Sequence, residues 1–186
     1  MISLNNVTFY YNSRHKVLKD FSLNINRGDR VCLSGASGCG KTTVLRLIMG
    51  LQTPKKGSVE LLKQAKISVV FQEDRLIPTK TVLQNVALFS NDEKALEMLK
   101  LLGINEVADE YPVALSGGMK RRVALARALA HDFDILILDE AFTGLDSNTL
   151  ENCLKVTDKV LADKTLVMVT HQDYIAESLK AKTVKI

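Results

Sequence analysis

The first third of the chain, read for the periodicity of its apolar and polar positions, consists of short segments that predict β-strands. Ile2 to Tyr11 and Val17 to Ile25 are two such segments, and the polar turn Asn12-Ser13-Arg14-His15 separates them. We therefore expect an antiparallel hairpin at the start of the chain.

A strand, a glycine-rich turn and a helix follow in direct succession. Arg30 to Ser34 predicts the strand, and the apolar positions between Val44 and Ile48 predict a helix that stops at Gly50. This order of elements is the context that a phosphate-binding loop requires.

The middle of the chain predicts two further strands and then three helices. The strands are Val59 to Leu62 and Ile67 to Phe71, and the helices are Thr81 to Leu88, Asp92 to Leu102 and Gly117 to Ala130. The last of these helices is rich in alanine, leucine and arginine, which favour helical backbone.

Two apolar runs later in the chain predict core strands. Ile135 to Leu138 is continuously apolar, as expected of a buried parallel strand, and Leu166 to Val169 is the last clear core strand. A short helix and a final strand, Thr183 to Ile186, complete the pattern. The order is β-rich, then α-rich, then β-α-β, which indicates an α/β fold.

Composition fits one ordinary globular domain. The chain has 186 residues, of which 46% are hydrophobic and 25% charged, and its formal net charge at pH 7 is +4. This mild excess of basic residues is spread along the chain without a long basic block, so no nucleic-acid partner is expected. Cys32, Cys39 and Cys153 form no C-x-x-C pair, which argues against a zinc site or a disulfide framework. No window is apolar enough to span a membrane, so we expect the chain itself to be soluble.

The glycine-rich turn carries the first chemistry. It matches G-x-x-x-x-G-K-[ST] in full, as Gly35, Ala36, Ser37, Gly38, Cys39, Gly40, Lys41 and Thr42, with Thr43 next. Its backbone N–H groups can surround phosphate oxygens, and the following helix adds its positive end. Lys41 is placed to contact the β- and γ-phosphates of ATP, and Thr42 to place its hydroxyl on Mg²⁺.

An acidic pair follows the apolar strand at Ile135. Asp139 and Glu140 come at its carboxyl end, where open α/β sheets bind ligands. Asp139 is placed to hold the magnesium shell, and Glu140 to polarise a water for attack on the γ-phosphate. An acidic pair in this place is more often a solvated strand end, but the phosphate loop upstream favours the functional interpretation.

A second candidate anion site opens the helix at Gly117. Leu115-Ser116-Gly117-Gly118-Met119 places Ser116 as the N-cap, beside two glycines and a helix N-terminus. The first loop already serves the phosphates of this chain. The second site therefore calls for a phosphate from elsewhere.

These motifs together resemble the ATP-binding subunit of an ABC transporter. The phosphate loop, Gln72, Leu-Ser-Gly-Gly, the acidic strand, Leu145-Asp146 and His171 occur in the order of that family, over nearly the whole chain. The resemblance implies a P-loop NTPase fold with an antiparallel β subdomain. It also implies that residues 1–186 are a single ABC ATPase domain with a helical subdomain inserted at approximately 73–131.

The resemblance also implies roles for single residues. Gln72 would lie near Mg²⁺ and the attacking water, and His171 would contact the γ-phosphate; both join Lys41 and Glu140 as candidate catalytic residues. Tyr11 corresponds to the aromatic residue that stacks on adenine. Two such domains meet head to tail, so that Ser116, Gly117 and Gly118 of one cover the γ-phosphate of the other, and Asp146 reaches across the interface.

The implied function is ATP hydrolysis whose dimer closure drives a membrane permease, with the subunit held at the cytoplasmic face of the membrane. The segment Phe71 to Pro78 and the signature that ends in Met119 are similar to subunits of the nitrate, sulfonate and taurine uptake group, which favours import. Two alternatives remain at this point: an ABC-type ATPase without a membrane partner, and a P-loop kinase of small molecules. The run Lys120-Arg121-Arg122 is interpreted as a solvated helix face.

Overall fold

The computed structural model describes residues 2–12 and 15–186, so Ser13 and Arg14 of the predicted turn lie outside the described residues. The strands are β1 Ile2–Asn12, β2 His15–Ile25, β3 Arg30–Ser34, β4 Lys56–Leu61, β5 Ile67–Val70, β6 Ile135–Asp139, β7 Thr165–Val169 and β8 Lys182–Lys185. The α-helices are α1 Lys41–Ile48, α2 Val82–Val86, α3 Asp92–Leu101, α4 Gly117–Ala130, α5 Ser147–Leu161 and α6 Asp173–Ser178. Short 3-10 turns cover Ala87–Phe89, Asn105–Val107 and Pro112–Ala114.

A five-stranded parallel sheet forms the centre of the fold, in the order β5-β6-β7-β3-β8. Every residue of β6 and β7 is buried, because both strands have neighbours at each edge and side chains packed on both faces. The continuous apolar run at Ile135 thus forms the buried parallel strand that the sequence predicts.

A smaller antiparallel sheet has the order β2-β1-β4. The predicted hairpin is confirmed, since Ile2 pairs with Ile25 and Leu4 with Leu23. On the other edge of β1, Ile2 pairs with Leu61, so β4 belongs to this sheet and not to the central one. The sequence predicts that strand but not its partner.

The central sheet separates two hydrophobic cores, because alternate residues of a strand point to opposite faces. Ile135 and Ile137 pack with α1 and the small sheet on one face. Leu136 and Leu138 pack with α4, α5 and α6 on the other. Helix α1 is therefore fixed between two sheets, which holds the preceding loop in place.

Helices α2, α3 and α4 come between β5 and β6 in the sequence, and they pack on one another. Val82, Leu99 and Val123, one from each helix, are fully buried. Thr81 caps α2 with a reciprocal capping box to Gln84, and α2 is shorter than predicted because a 3-10 turn takes over at Ala87. The subdomain limits at approximately 73–131 stay a prediction.

Helix α5 connects β6 to β7 on the α4 side of the sheet. It begins after Asp146, whose carboxylate accepts a hydrogen bond from the Thr149 N–H at 3.0 Å. Its buried face includes Leu150, Leu154 and Leu161. Within residues 2–12 and 15–186, none of the helices has both the length and the apolar character that a bilayer crossing needs.

Leu45, inside α1, and Leu51, three residues after its end, give a matched test of this packing. Leu45 is 0% exposed and Leu51 is 58% exposed. Leu45→Ala should lower the free energy of unfolding by about 2–5 kcal/mol, because it leaves a cavity between the two sheets. Leu51→Ala should change it by less than about 0.5 kcal/mol. Urea unfolding followed by circular dichroism measures both, and equal losses would contradict the placement of α1.

Candidate functional site

A cavity of about 640 Å³ lies at the edge of the central sheet where β3, β5, β6 and β7 end. Parallel strands present their carboxyl ends at one edge, so segments distant in sequence meet there. The predicted site residues that line the cavity are Tyr11, Ser37, Gly38, Gly40, Lys41, Thr42, Thr43, Gln72, Asp139, Glu140 and His171.

Gly40 gives the glycine-rich loop its shape. Its φ is 111°, a conformation that side chains rarely allow, and it is the N-cap of α1. A Cβ at this position would lie 3.1 Å from Val17 Cγ1 and 3.3 Å from the Val17 carbonyl oxygen. Only glycine fits both the backbone conformation and the space beside β2.

Lys41 concentrates positive charge inside this loop. Its side chain is 8% exposed, and its ammonium donates hydrogen bonds to the carbonyls of Gly35 at 2.8 Å and Ala36 at 3.0 Å. The first turn of α1 has no acidic residue, and no side chain caps its N–H groups. A helix N-terminus of this kind, next to a buried lysine, is suited to bind an anion such as phosphate.

Asp139 ends β6 beside the loop and is 7% exposed. Burial raises the pKa of its carboxyl group, and the nearby charge of Arg46, the Thr42 hydroxyl and the charge of Lys41 oppose that shift. A buried strand end of this kind differs from the solvated one that is more common after an apolar strand.

Glu140 faces His171 across the ends of β6 and β7. Asp139 pairs with Val169, and the Glu140 N–H donates to the Val169 carbonyl at 3.0 Å, which places Glu140 next to the residues that follow β7. His171 Nε2 lies 3.3 Å from Glu140 Oε1, an ion-pair distance when the imidazole is protonated. Oε1 accepts no hydrogen bond from the described residues.

The environment of Glu140 suits a proton acceptor. Burial raises the pKa of its carboxyl group; His171 lowers it, and the charge of Asp139 raises it further. Its φ of 52° is unusual for a residue with a side chain and costs about 1–3 kcal/mol. Raised proton affinity and a strained backbone often occur together at functional sites.

Tyr11 and Gln72 both line the cavity and are both exposed. Tyr11 is 57% exposed, its hydroxyl lies 3.3 Å from Thr43 Oγ1, and its ring meets Phe9 edge to face at 5.0 Å. Gln72 follows β5 and is exposed. The predicted adenine contact of Tyr11 stays a prediction.

The second candidate anion site lies outside this cavity. Ser116 caps α4, accepting a hydrogen bond from the Met119 N–H at 3.2 Å, as predicted. Ser116 and Gly117 are exposed, and Gly118 faces Gly144 in the loop before α5. Asp146 caps α5 and also does not line the cavity. Ser116 to Gly118 and Asp146 are therefore not brought to the phosphate loop of their own chain.

The predicted solvated face at Lys120-Arg121-Arg122 is wrong. Arg121 is 9% exposed and donates to the carbonyls of Phe71 and Gln72. Arg122 donates to the Gly103 carbonyl at 2.7 Å. A short basic run does not reveal that main-chain carbonyls from other segments surround it.

The sequence did not indicate four further residues that line the cavity: Val17, Arg121, Thr143 and Val169. Val17 packs against Gly40, and Val169 ends β7 opposite Asp139. The position of Val169 could have been inferred from its place two residues before His171. Val17 and Thr143 carry no sequence signal of their own.

Comparison with known protein families gives a match that covers most of the chain. A sequence model described as ABC transporter matches residues 18–143. That range contains the phosphate loop, Gln72, Ser116 and the acidic pair at Asp139.

Two similar curated proteins are ATP-binding proteins of import systems by name. The aliphatic sulfonates import ATP-binding protein SsuB 1 of Shouchella clausii (strain KSM-K16) is 41% identical over 160 residues, covering 83% of this chain and 65% of that protein. The methionine import ATP-binding protein MetN of Lactobacillus johnsonii (strain CNCM I-12250 / La1 / NCC 533) is 39% identical over 202 residues, covering 92% of this chain and 57% of that protein. The chain thus spans less than two thirds of the length of either relative.

Solved structures match all or nearly all of the chain. The dimeric post-hydrolysis state of the ATP-binding cassette MJ0796 bound to ADP and Pi has a TM-score of 0.88 and 34% identity, covering 100% of this chain and 94% of that one. A bacterial Atm1-family ABC exporter with ATP bound has a TM-score of 0.86 and 26% identity, covering 94% of this chain and 35% of that one. These matches confirm the predicted fold class, and the chain belongs to the ABC transporter family as one of its ATP-binding domains.

Proposed function

We propose that this chain binds MgATP in the cavity at the strand ends, hydrolyses it, and thereby powers the import of a small molecule through a membrane permease. The observation that carries the proposal is the convergence of Lys41, Glu140 and His171 on one cavity beside an uncapped helix N-terminus. These are the groups that phosphoryl transfer to water needs: a phosphate cradle and a proton acceptor.

Binding depends on the loop and on α1. The Lys41 ammonium and the N–H groups at the start of α1 would hold the β- and γ-phosphates. Tyr11 would stack on the adenine ring from the rim. Gly35, Ala36 and Cys39 belong to the same loop but do not line the cavity. The carbonyls of Gly35 and Ala36 accept hydrogen bonds from Lys41 and hold it in place.

The donor set beside the loop fits magnesium. Thr42, Gln72 and Asp139 line the cavity and also a smaller adjoining hollow of about 110 Å³. No group of three or more His, Cys, Asp or Glu residues that could hold a metal occurs in the described part of the chain. Mg²⁺ typically takes one or two protein oxygens and completes its shell with water and phosphate, so Thr42 and Asp139, with Gln72 nearby, are sufficient. When bound, it neutralises charge on the phosphates.

Glu140 and His171 act in the hydrolysis step. Glu140 accepts the proton of the attacking water at Oε1, the oxygen that has no hydrogen-bond partner among the described residues. His171 contacts the γ-phosphate and, 3.3 Å from the same oxygen, fixes the position of the carboxylate. Burial supports this assignment because a raised pKa makes a carboxylate a better base.

A second copy of the chain would complete the site. Ser116 and Gly117 are exposed and lie outside the cavity of their own chain, which is the arrangement expected if they close over the phosphate of a partner. Asp146, exposed at the start of α5, would contact the same partner. The structure of the cassette MJ0796 bound to ADP and Pi is described as dimeric, which supports this pairing.

A permease is the remaining partner. A groove lies along the segment that follows Gln72, and Val113 in its lining is 88% exposed. Apolar side chains such as Pro78 and Val113, exposed beside the charged Arg75, are suited to a protein contact. The names of the relatives favour import. The subunit would then be bound at the cytoplasmic membrane face. Co-purification of a membrane protein separates this function from that of an ABC ATPase without a membrane partner.

Two substitutions separate binding from hydrolysis. Lys41→Ala should weaken ATP binding about 10- to 100-fold, because it removes a charge-assisted contact to the phosphates. Glu140→Gln should bind ATP normally but lose about 10²- to 10⁴-fold in kcat, because the amide cannot accept the proton. Equilibrium ATP binding and phosphate release measure the two effects. Lys155→Ala, at a side chain 73% exposed, is the control. Near-normal turnover by Glu140→Gln would remove this residue as the base.

The pH profile of kcat tests the pair of Glu140 and His171. Glu140 acts as a base only when ionised, and burial raises its pKa, so activity should fall on acidification at a higher pH than for an ordinary carboxylate. His171 lowers that pKa. His171→Ala should therefore move the acid limb to higher pH, whatever it does to the maximum rate. His131→Ala, at the end of α4, is the matched control, and an acid limb moved to lower pH would contradict the pairing.

A further inference from the structure

The segment between β5 and α2, residues 71–81, carries Gln72 and has little regular structure. Buried or half-buried main-chain carbonyls need hydrogen-bond partners, and a segment outside a sheet must find them elsewhere. Here side chains from α2 and α4 supply them. Three side chains do so: Arg121, Arg127 and Asn85.

Arg121 holds the start of the segment. Its NH1 donates to the Phe71 carbonyl at 2.9 Å, and its NH2 donates to the Gln72 carbonyl at 2.5 Å. The same NH1 lies 3.2 Å from Asp74 Oδ1, an ion-pair distance, although Oδ1 accepts no hydrogen bond from the described residues. The planar guanidinium fixes two donors in one geometry, so it sets the direction of the Gln72 backbone and not merely its distance.

Arg127 and Asn85 hold the rest. Arg127 donates to the carbonyls of Asp74 at 3.0 Å and Arg75 at 2.9 Å. Asn85 is fully buried, accepts from the Ile77 N–H at 2.8 Å, and donates to the carbonyls of Ile77, Lys80 and Thr81. The segment is therefore attached by its backbone to α2 and α4.

Arg121 also lies in the helix that Ser116 caps, and it lines the nucleotide cavity together with Gln72. Arg121 lies five positions after Ser116, a rise of about 7.5 Å along the helix. One rigid element thus connects the exposed start of α4 to Gln72, which the proposed function sets near the attacking water.

We propose that Arg121 is a positioning residue for hydrolysis, which holds Gln72 in the cavity by clamping its main chain to α4. The inference rests on the proposed function for its effect on rate. A movement of the start of α4 would be transmitted to Gln72 through this clamp.

The test compares neighbouring arginines in the full-length chain. Arg121→Met removes the clamp, whereas Arg122→Met removes the same chemistry from the carbonyls of Leu102 and Gly103, away from the Gln72 segment. Arg121→Met should lower kcat about 10- to 100-fold, the range expected for a displaced catalytic group, and change the KM for ATP much less. Arg121→Lys, which keeps the charge beside Asp74, should recover part of the rate and serves if Arg121→Met does not fold.

A double substitution shows whether Arg121 acts through Gln72. Gln72→Ala should lower kcat by itself, and adding Arg121→Met should lower it by no more than about a further twofold, because the residue being positioned is already gone. Equal losses from Arg121→Met in both backgrounds, or the same kcat loss from Arg122→Met, would overturn the proposal.

Hydrogen exchange of the backbone amides keeps the clamp testable if the protein hydrolyses no ATP. Residues 71–81 should exchange faster in Arg121→Met than in the wild type or Arg122→Met, with β6 unchanged. Absence of ATPase in the wild type would defeat the proposed function alone. Unchanged exchange in this segment would defeat the clamp.

Discussion

Parallel pairing of the central strands is the constraint on which the site depends. Because β3, β5, β6 and β7 run in the same direction, the segments that follow them meet at one edge. The register of β6 on β7 sets Asp139 opposite Val169. Glu140, the next residue after β6, therefore lies close to His171, two residues after the end of β7. The small antiparallel sheet contributes the rim through Tyr11 and Val17, and it requires glycine at position 40.

Burial makes opposite charges effective in this cavity. Lys41 and Asp139 are 8% and 7% exposed, so water screens them little. The lysine therefore attracts a phosphate strongly, whereas the carboxylate would repel it unless a cation such as Mg²⁺ lies between them. The same burial raises the pKa values of Asp139 and Glu140 and makes the latter a better base. One physical condition thus accounts for both binding and hydrolysis in the proposed function.

Local patterns in the sequence predict most of the fold, since strands such as β3 and the helix α4 begin and end where composition and capping change. The phosphate loop and the acidic strand are also local and were found. The partner strand of β4 was not found, because pairing across the sheet leaves no local signal. Arg121 was misjudged for the same reason: the carbonyl of Phe71, which it binds, lies 50 residues away and belongs to no side chain that a motif could contain. The N-cap role of Asp146 could have been predicted from its place before a helix.

In the proposed function, the exposed start of α4 in a second copy completes the cavity of one chain. Light scattering of Glu140→Gln protein, with and without MgATP, tests it most directly because the bound nucleotide persists. We expect a monomer without ATP and a dimer with it, and a monomer with ATP still bound when Ser116→Glu is added to place a negative charge at the exposed cap. A protein that saturates with ATP and stays monomeric, or that forms the same dimer with Ser116→Glu, would contradict the account.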